Sequence, residues 1–243
     1  MKKLIIAILA FFMAGTLHAQ LFTIGNQEIG FLYLGPKVGM GGSWVSKSKI
    51  GDEKTATLLS YQFGVVGKFG LTERLSIQPE LVYSRKGNKV KTEGTNFDYT
   101  GKTFADYLGI PILAKFSFIK IGNFRFHGSG GIYNNISLSH KTETIYSDQT
   151  YEHEVETEFY KTVDFGFSFG GGAEYELDNG LLVGELLIEH GVVDMYTDDV
   201  STGSNRNTSV SIAVTYLFDF VDLTAKAVRE NSEESFEEEN NEE

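Results

Sequence analysis

The stretch YQFGVVGKFGLTERLSIQPELVYSRKG, residues 61–87, decides the fold, because it reads as two alternating strands joined by the turn residues Leu71 to Arg74. In its second half Leu75, Ile77, Pro79, Leu81 and Tyr83 share one face, while Ser76, Gln78, Glu80 and Ser84 share the other. A period of two is the signature of a strand with two unlike surfaces. In a soluble sandwich the apolar surface is core and the charged one meets water. In a bilayer barrel the apolar surface meets lipid and the polar one lines a narrow lumen.

Working outward, the same alternation recurs in eight segments, at 29–42, 58–70, 75–86, 104–118, 123–138, 161–177, 181–195 and 207–220. The connections 43–57, 87–103, 139–160 and 196–206 are long, and those between them, 71–74, 119–122 and 178–180, are short. This spacing predicts an all-β fold, an eight-stranded antiparallel up-and-down transmembrane β-barrel with short periplasmic turns and longer outer loops. Asp178-Asn179-Gly180 and Gly122-Asn123 tolerate positive φ and read as hairpin turns.

One face of these strands gathers Leu32, Leu34, Val38, Phe63, Val65, Ile110, Ile112, Phe116, Phe165, Phe167, Phe169, Leu186, Ile188, Ile212 and Val214, almost without a charge. Aromatic residues crowd toward the short turns (Phe69, Phe118, Phe124, Phe126, Tyr175, Phe218, Phe220), where a periplasmic girdle would lie, and Tyr61, Tyr83 and Phe104 suit an outer one. The opposite face carries Lys37, Lys68, Lys115 and Arg125 against Glu80, Asp164, Glu174, Glu185 and Glu189, with Gln78 and His127 among them. Eight strands enclose a space that side chains just fill. A lumen network of those nine charges is therefore expected, since an unpaired buried charge costs several kcal/mol. Lys68 and Glu80, on facing strands of one hairpin, are within diagonal reach. Contact with lumen water is the alternative for some of them.

Residues 1–19 begin with Lys2 and Lys3, continue as an apolar run from Leu4 to Met13 and end at Leu17-His18-Ala19. That is the pattern of a secretory signal peptide cleaved near Ala19. Among the 243 residues there is no cysteine, which excludes disulfides, thiolate metal sites and cysteine catalysis. No later segment supplies the roughly 18–20 unbroken apolar residues of a helical span, so a membrane is crossed by strands or not at all. A formal charge of −12 argues against nucleic acid, whose phosphates it would repel. The charge is uneven: residues 221–243 hold nine acids and two bases. Such a segment cannot bury enough apolar surface to fold alone and is expected to be a disordered periplasmic tail beyond a 20–220 barrel. It could dock a basic periplasmic partner, or simply solubilise.

The hairpin FGVVGKFGLTERLSIQPELVYSRKG (63–87), YLGIPILAKFSF (107–118), DFGFSFGGGAEYEL (164–177) and NGLLVGELLIEHG (179–191) together resemble the PorT-like outer membrane β-barrel family over most of 29–220. The resemblance implies a small antiparallel barrel in the outer membrane of a Gram-negative cell. Some members serve protein secretion and gliding, and most have no assigned role, so a structural, interaction or envelope-transport accessory role is expected. The last strand ends Tyr216-Leu217-Phe218-Asp219-Phe220, resembling the aromatic-ended signal read by the barrel assembly machinery, although the chain continues past it.

Chemistry beyond the barrel has weak support. A lipid-modifying hydrolase would need a nucleophile, a base and an acid together. Ser139, His140 and Glu143, or Glu189 and His190, offer the types without any family spacing, and neighbours in a strand point to opposite faces. The acids of 139–160 (Glu143, Asp148, Glu152, Glu154, Glu156, Glu158), with His140 and His153, could hold Ca²⁺ through oxygen, yet match no known loop pattern. Gly42-Ser43-Trp44 resembles the G-x-W of lipocalins, soluble eight-stranded carriers of apolar ligands, which would turn their apolar face inward. Gly170, Gly171 and Gly172 suit a bend or a close approach. The expectation is a protein without catalytic residues, cofactor or metal.

Overall fold

The computed structural model describes residues 23–24, 27–28, 32–46, 54–93, 98–146, 149–154, 160–197 and 205–219. The signal segment with its cleavage site, Phe220, the acidic segment 221–243, and Asp148, Glu156 and Glu158 lie outside the described residues. The strands in chain order are β1 (Thr23–Ile24), β2 (Gln27–Glu28), β3 (Leu32–Ser46), β4 (Lys54–Ala56), β5 (Leu58–Gly70), β6 (Leu75–Glu93) and β7 (Asp98–Gly109). They continue with β8 (Ile112–Ile121), β9 (Phe124–Tyr146), β10 (Gln149–Glu154), β11 (Val163–Leu177), β12 (Gly180–Gly191) and β13 (Arg206–Asp219).

Antiparallel pairing runs β3-β5-β6, then β7 with β8, then β9-β11-β12-β13, and β13 returns to β3. The ring thus has eight places, one of them shared by β7 and β8. The split falls at Pro111, which has no N–H to give to a ladder. Its carbonyl still accepts from the Glu80 amide at 2.9 Å, and the Ile110 amide donates to Asn134 at 2.8 Å, so the wall stays closed.

At the periplasmic rim the turns are as short as expected. Ile121 pairs with Phe124 around Gly122-Asn123, where Gly122 has φ +57°, and Leu177 pairs with Gly180 around Asp178-Asn179. In the turn at 71–74 the Thr72 hydroxyl accepts the Leu75 amide at 2.9 Å.

The outer end differs from expectation. Segments 87–103 and 139–160 are not loops through most of their length: β6 and β7 pair as far as Glu93↔Asp98, and β9 pairs with β10 from Lys141 to Tyr146. Above the bilayer both faces of a strand meet water, so side chains there lose their alternation while the backbone ladder continues. A bulge at Leu138, between Asp106↔Ser139 and Tyr107↔Ser137, resets the facing of β9 on the way up.

Orientation separates the membrane barrel from the soluble carrier. Ile112, Val214 and Phe169 are 44%, 48% and 57% exposed on the outside, whereas Lys115 and Glu185 are 1% and 3% exposed within. A lipocalin-like carrier would have these reversed, so that reading is overturned; Trp44 is simply part of β3. The periplasmic girdle includes Phe124 against Tyr175 at 4.8 Å and Tyr216 against Phe218 at 4.6 Å, and Tyr83 packs on Phe63 and Tyr61 higher up. Aromatics are not confined to the girdles, because Phe165, Phe167 and Phe169 form a continuous outward stack across the band.

The interior is polar along its middle and apolar toward its ends. Val66, Leu181, Val183 and Leu217 cluster in the periplasmic half, and Val45, Tyr160 and Met195 at the outer end. Glycines let β11 take this filling. A Cβ on Gly166 would stand 2.6 Å from the Tyr133 hydroxyl and 2.2 Å from the His190 carbonyl, and one on Gly172 would stand 2.0 Å from the Gly184 carbonyl.

Candidate functional site

The functional question lies in the lumen, because within the membrane band the alternation that sends apolar side chains to lipid sends charges such as Lys37, Lys68, Glu80, Lys115, Glu174 and Glu185 inward. Lys37 on β3 meets Glu80 on β6 at 2.6 Å, and the Gln78 amide donates to the other oxygen of Glu80 at 2.7 Å. Lys68 on β5 reaches both oxygens of Glu174 on β11 at 2.5 Å. Lys115 on β8 stands 2.5 Å from Glu185 on β12. Between the last two pairs sits His127, with Nε2 3.2 Å from Glu185 and Nδ1 3.8 Å from Glu174. Closer to the outer end Lys86 meets Glu189 at 2.7 Å, and Ser209 donates to the same carboxylate at 3.0 Å.

None of the four lysine–glutamate pairs joins neighbouring strands. Lys68–Glu174 and Lys86–Glu189 each join places half a turn apart around the ring. They are struts across the bore rather than rungs along its wall. The expected diagonal of Lys68 and Glu80 gives way to pairings across the lumen: Glu80 takes Lys37, and Lys68 takes Glu174.

Asp164 and Arg125 stand apart from these struts. Asp164 is buried among neutral donors, accepting from Asn207 at 3.2 Å, Asn135 at 3.3 Å and Tyr133 at 3.4 Å. Arg125 lies at the periplasmic mouth, where it and Lys120 both hold Glu176 at 2.8 Å. Glu176 is level with the periplasmic girdle, where the lumen opens to water. The mouth is a cup of about 480 Å³ lined by Tyr33, Glu73, Arg74, Lys120, Arg125 and, at its floor, Lys68.

Lys86, His127, Tyr107, Tyr133 and Asn207 belong to the same filling but were missed as members of the network. The inward period of β6, Ser76-Gln78-Glu80-Ser84-Lys86, carried the signal for Lys86. Ser139 and His140 part company as strand neighbours must: Ser139 donates to Asp106 on the outer surface at 2.9 Å, while His140 stacks on Tyr160 inside at 3.9 Å. His190 bonds Thr208 at 3.0 Å. Among the described residues no group of three or more His, Asp or Glu is placed to hold a metal ion.

A closed antiparallel ring with a lipid-facing apolar band and a charge-filled bore defines a small integral outer membrane barrel. A family model described as outer membrane protein beta-barrel domain matches residues 19–196. The chain belongs to that family, and its place is the outer membrane of a Gram-negative cell.

Among solved structures it is similar to Neisserial surface protein A (NspA), with 11% identity and a TM-score of 0.42 over 78% of this chain and 97% of that one. It is also similar to OprG of Pseudomonas aeruginosa, with 11% identity and a TM-score of 0.41 over 78% and 94%. Ail, the attachment invasion locus protein of Yersinia pestis, follows at 12% identity and a TM-score of 0.36 over 76% and 98%. Comparison with curated proteins gave no match.

Proposed function

We propose that this outer membrane barrel works as an interaction or envelope-transport accessory protein of the PorT-like kind, and not as a pore or an enzyme. The observation that carries the reading is the pair of struts Lys68–Glu174 and Lys86–Glu189, which cross the bore at two levels and leave solute no straight path. A protein that neither conducts nor catalyses acts through its surfaces, and this one offers its outer hairpins and its periplasmic end. The acidic segment 221–243 is the proposed periplasmic docking arm, suited to a partner with a basic face. The aromatic end of the last strand is the proposed contact with the barrel assembly machinery.

Two measurements test this. In planar bilayers the full-length chain should give no steady conductance, and stable open-pore currents would sink the accessory reading. Capture of periplasmic proteins by the barrel with and without residues 221–243 tests the arm: a basic protein should be lost on deletion, and an unchanged set would count against docking.

A further inference from the structure

The cup at the periplasmic mouth is a blind site. The Lys68–Glu174 strut closes it from the bore, and Tyr33, Lys68, Arg125 and Glu176 line it from inside the ring, away from lipid. One lip is the turn between β5 and β6, and that turn is held in shape. The Thr72 hydroxyl accepts the amides of Arg74 at 3.3 Å and Leu75 at 2.9 Å. The Ser117 amide on β8 donates to the Arg74 carbonyl at 2.8 Å, and Arg125 on β9 donates to the Glu73 carbonyl at 3.5 Å. The backbone of Glu73 and Arg74 is thus pinned, while their charged ends are exposed and enter no ion pair among the described residues.

The remaining charges of the mouth are of both signs. Lys68 and Glu174 cancel each other, whereas Lys120 and Arg125 share the single carboxylate of Glu176. Inside the lining this leaves positive charge at Arg74 and at the Lys120–Arg125 pair, and negative charge at Glu73. Outside the lining, Asp178 in the β11–β12 turn and Asp219, in register with Tyr33, add acid at the rim. The mouth is therefore no anion trap. A simple anion gains from Arg74 and loses to Glu73, a simple cation does the reverse, and a molecule carrying both signs gains from each. Tyr33 and Leu181 give it an apolar wall, continuous with the cluster of Val66, Val183 and Leu217.

We propose that the cup binds a short peptide with a free carboxylate and a free ammonium, the carboxylate toward Arg74, Lys120 and Arg125 and the ammonium toward Glu73. Its volume of about 480 Å³ falls within the roughly 300–1,000 Å³ of small-molecule sites. The pinned turn presents its two charges without a further ordering cost to the backbone. The mouth opens on the compartment that holds the cell wall, whose peptides carry both groups, and fragments of proteins offer the same chemistry.

The test uses the full-length protein in phosphatidylcholine nanodiscs and equilibrium dialysis against two labelled probes, alanyl-glutamyl-lysine and the wall tripeptide alanyl-γ-glutamyl-diaminopimelate. Each is also made with its amines acetylated or its carboxylates amidated, and a heat-shift on gels confirms that each barrel is folded. Wild type should bind a free tripeptide more tightly than either modified form, and the tighter of the two free probes names the source. Arg74→Gln should weaken binding of the free peptide about fivefold and leave the amidated form unchanged. Glu73→Gln should weaken the free peptide by about as much and leave the acetylated form unchanged, the pattern that a direct contact gives in a double-mutant cycle. Lys91→Gln at the outer end should match wild type. Binding of neither free tripeptide, modified peptides held as well as free ones, or variants that weaken every form alike would overturn the proposal. Competition by inorganic phosphate would overturn the choice of a two-signed ligand. Failure here would leave the docking arm standing, because that is read by deletion of 221–243.

Discussion

Lys68 and Glu174 meet at 2.5 Å from opposite sides of the barrel, and neither side chain exposes more than 2% of its surface. A pair so enclosed gains strong attraction but has already lost the hydration of both ions. Its net worth is small, while the cost of orphaning either partner is large.

Lys68→Met should therefore destabilise the barrel by about 3–5 kcal/mol, whereas Lys68→Met with Glu174→Leu should recover most of that loss. Urea unfolding in lipid vesicles, followed by tryptophan fluorescence of Trp44, measures both. A double variant no better than the single would show that Glu174 does not depend on this partner.

On the outer wall the same reasoning runs in reverse. Ile212 is 64% exposed, and in a water-soluble protein a lysine there would be nearly free of cost. Facing lipid near the middle of the band, Ile212→Lys should cost about 2–4 kcal/mol. Unfolding in vesicles reads the loss.

Gly166 and Gly184 make a matched pair. A methyl on Gly166 meets the His190 carbonyl and the Tyr133 hydroxyl, while one on Gly184 meets nothing within 4 Å. Gly166→Ala should lose about 1–3 kcal/mol as Tyr133 is forced to move. Gly184→Ala should be neutral or gain about 0.4–1 kcal/mol through the unfolded chain, and equal effects at the two sites would be a failure of the packing account.

The wall of the barrel was readable from sequence because lipid and lumen are unlike solvents, and each strand records which side faces which. Ile112, Val214, Lys115 and Glu185 follow that record directly. Two things escaped it. Strand ends at Glu93 and Tyr146 lie where both faces meet water, so no chemical contrast marks them. Partner choice escaped as well: Glu80 has Lys68 within diagonal reach on its own hairpin, yet takes Lys37 from two strands away once the ring has curved round. Arg125 follows the inward period but sits so near the turn that its partner is Glu176 at the rim. Proximity along the chain does not report curvature.

The struts also bear on how the chain reaches this state. Lys68 and Glu174 are separated by 106 residues, and Lys86 and Glu189 by 103. A half-formed sheet, still open along one edge, would hold one set of lysines and one set of glutamates with nothing yet opposite them. Insertion into hydrocarbon is then favourable only when the final seam zips, so the last hairpin to arrive should set the pace of folding, and partly inserted species should be scarce.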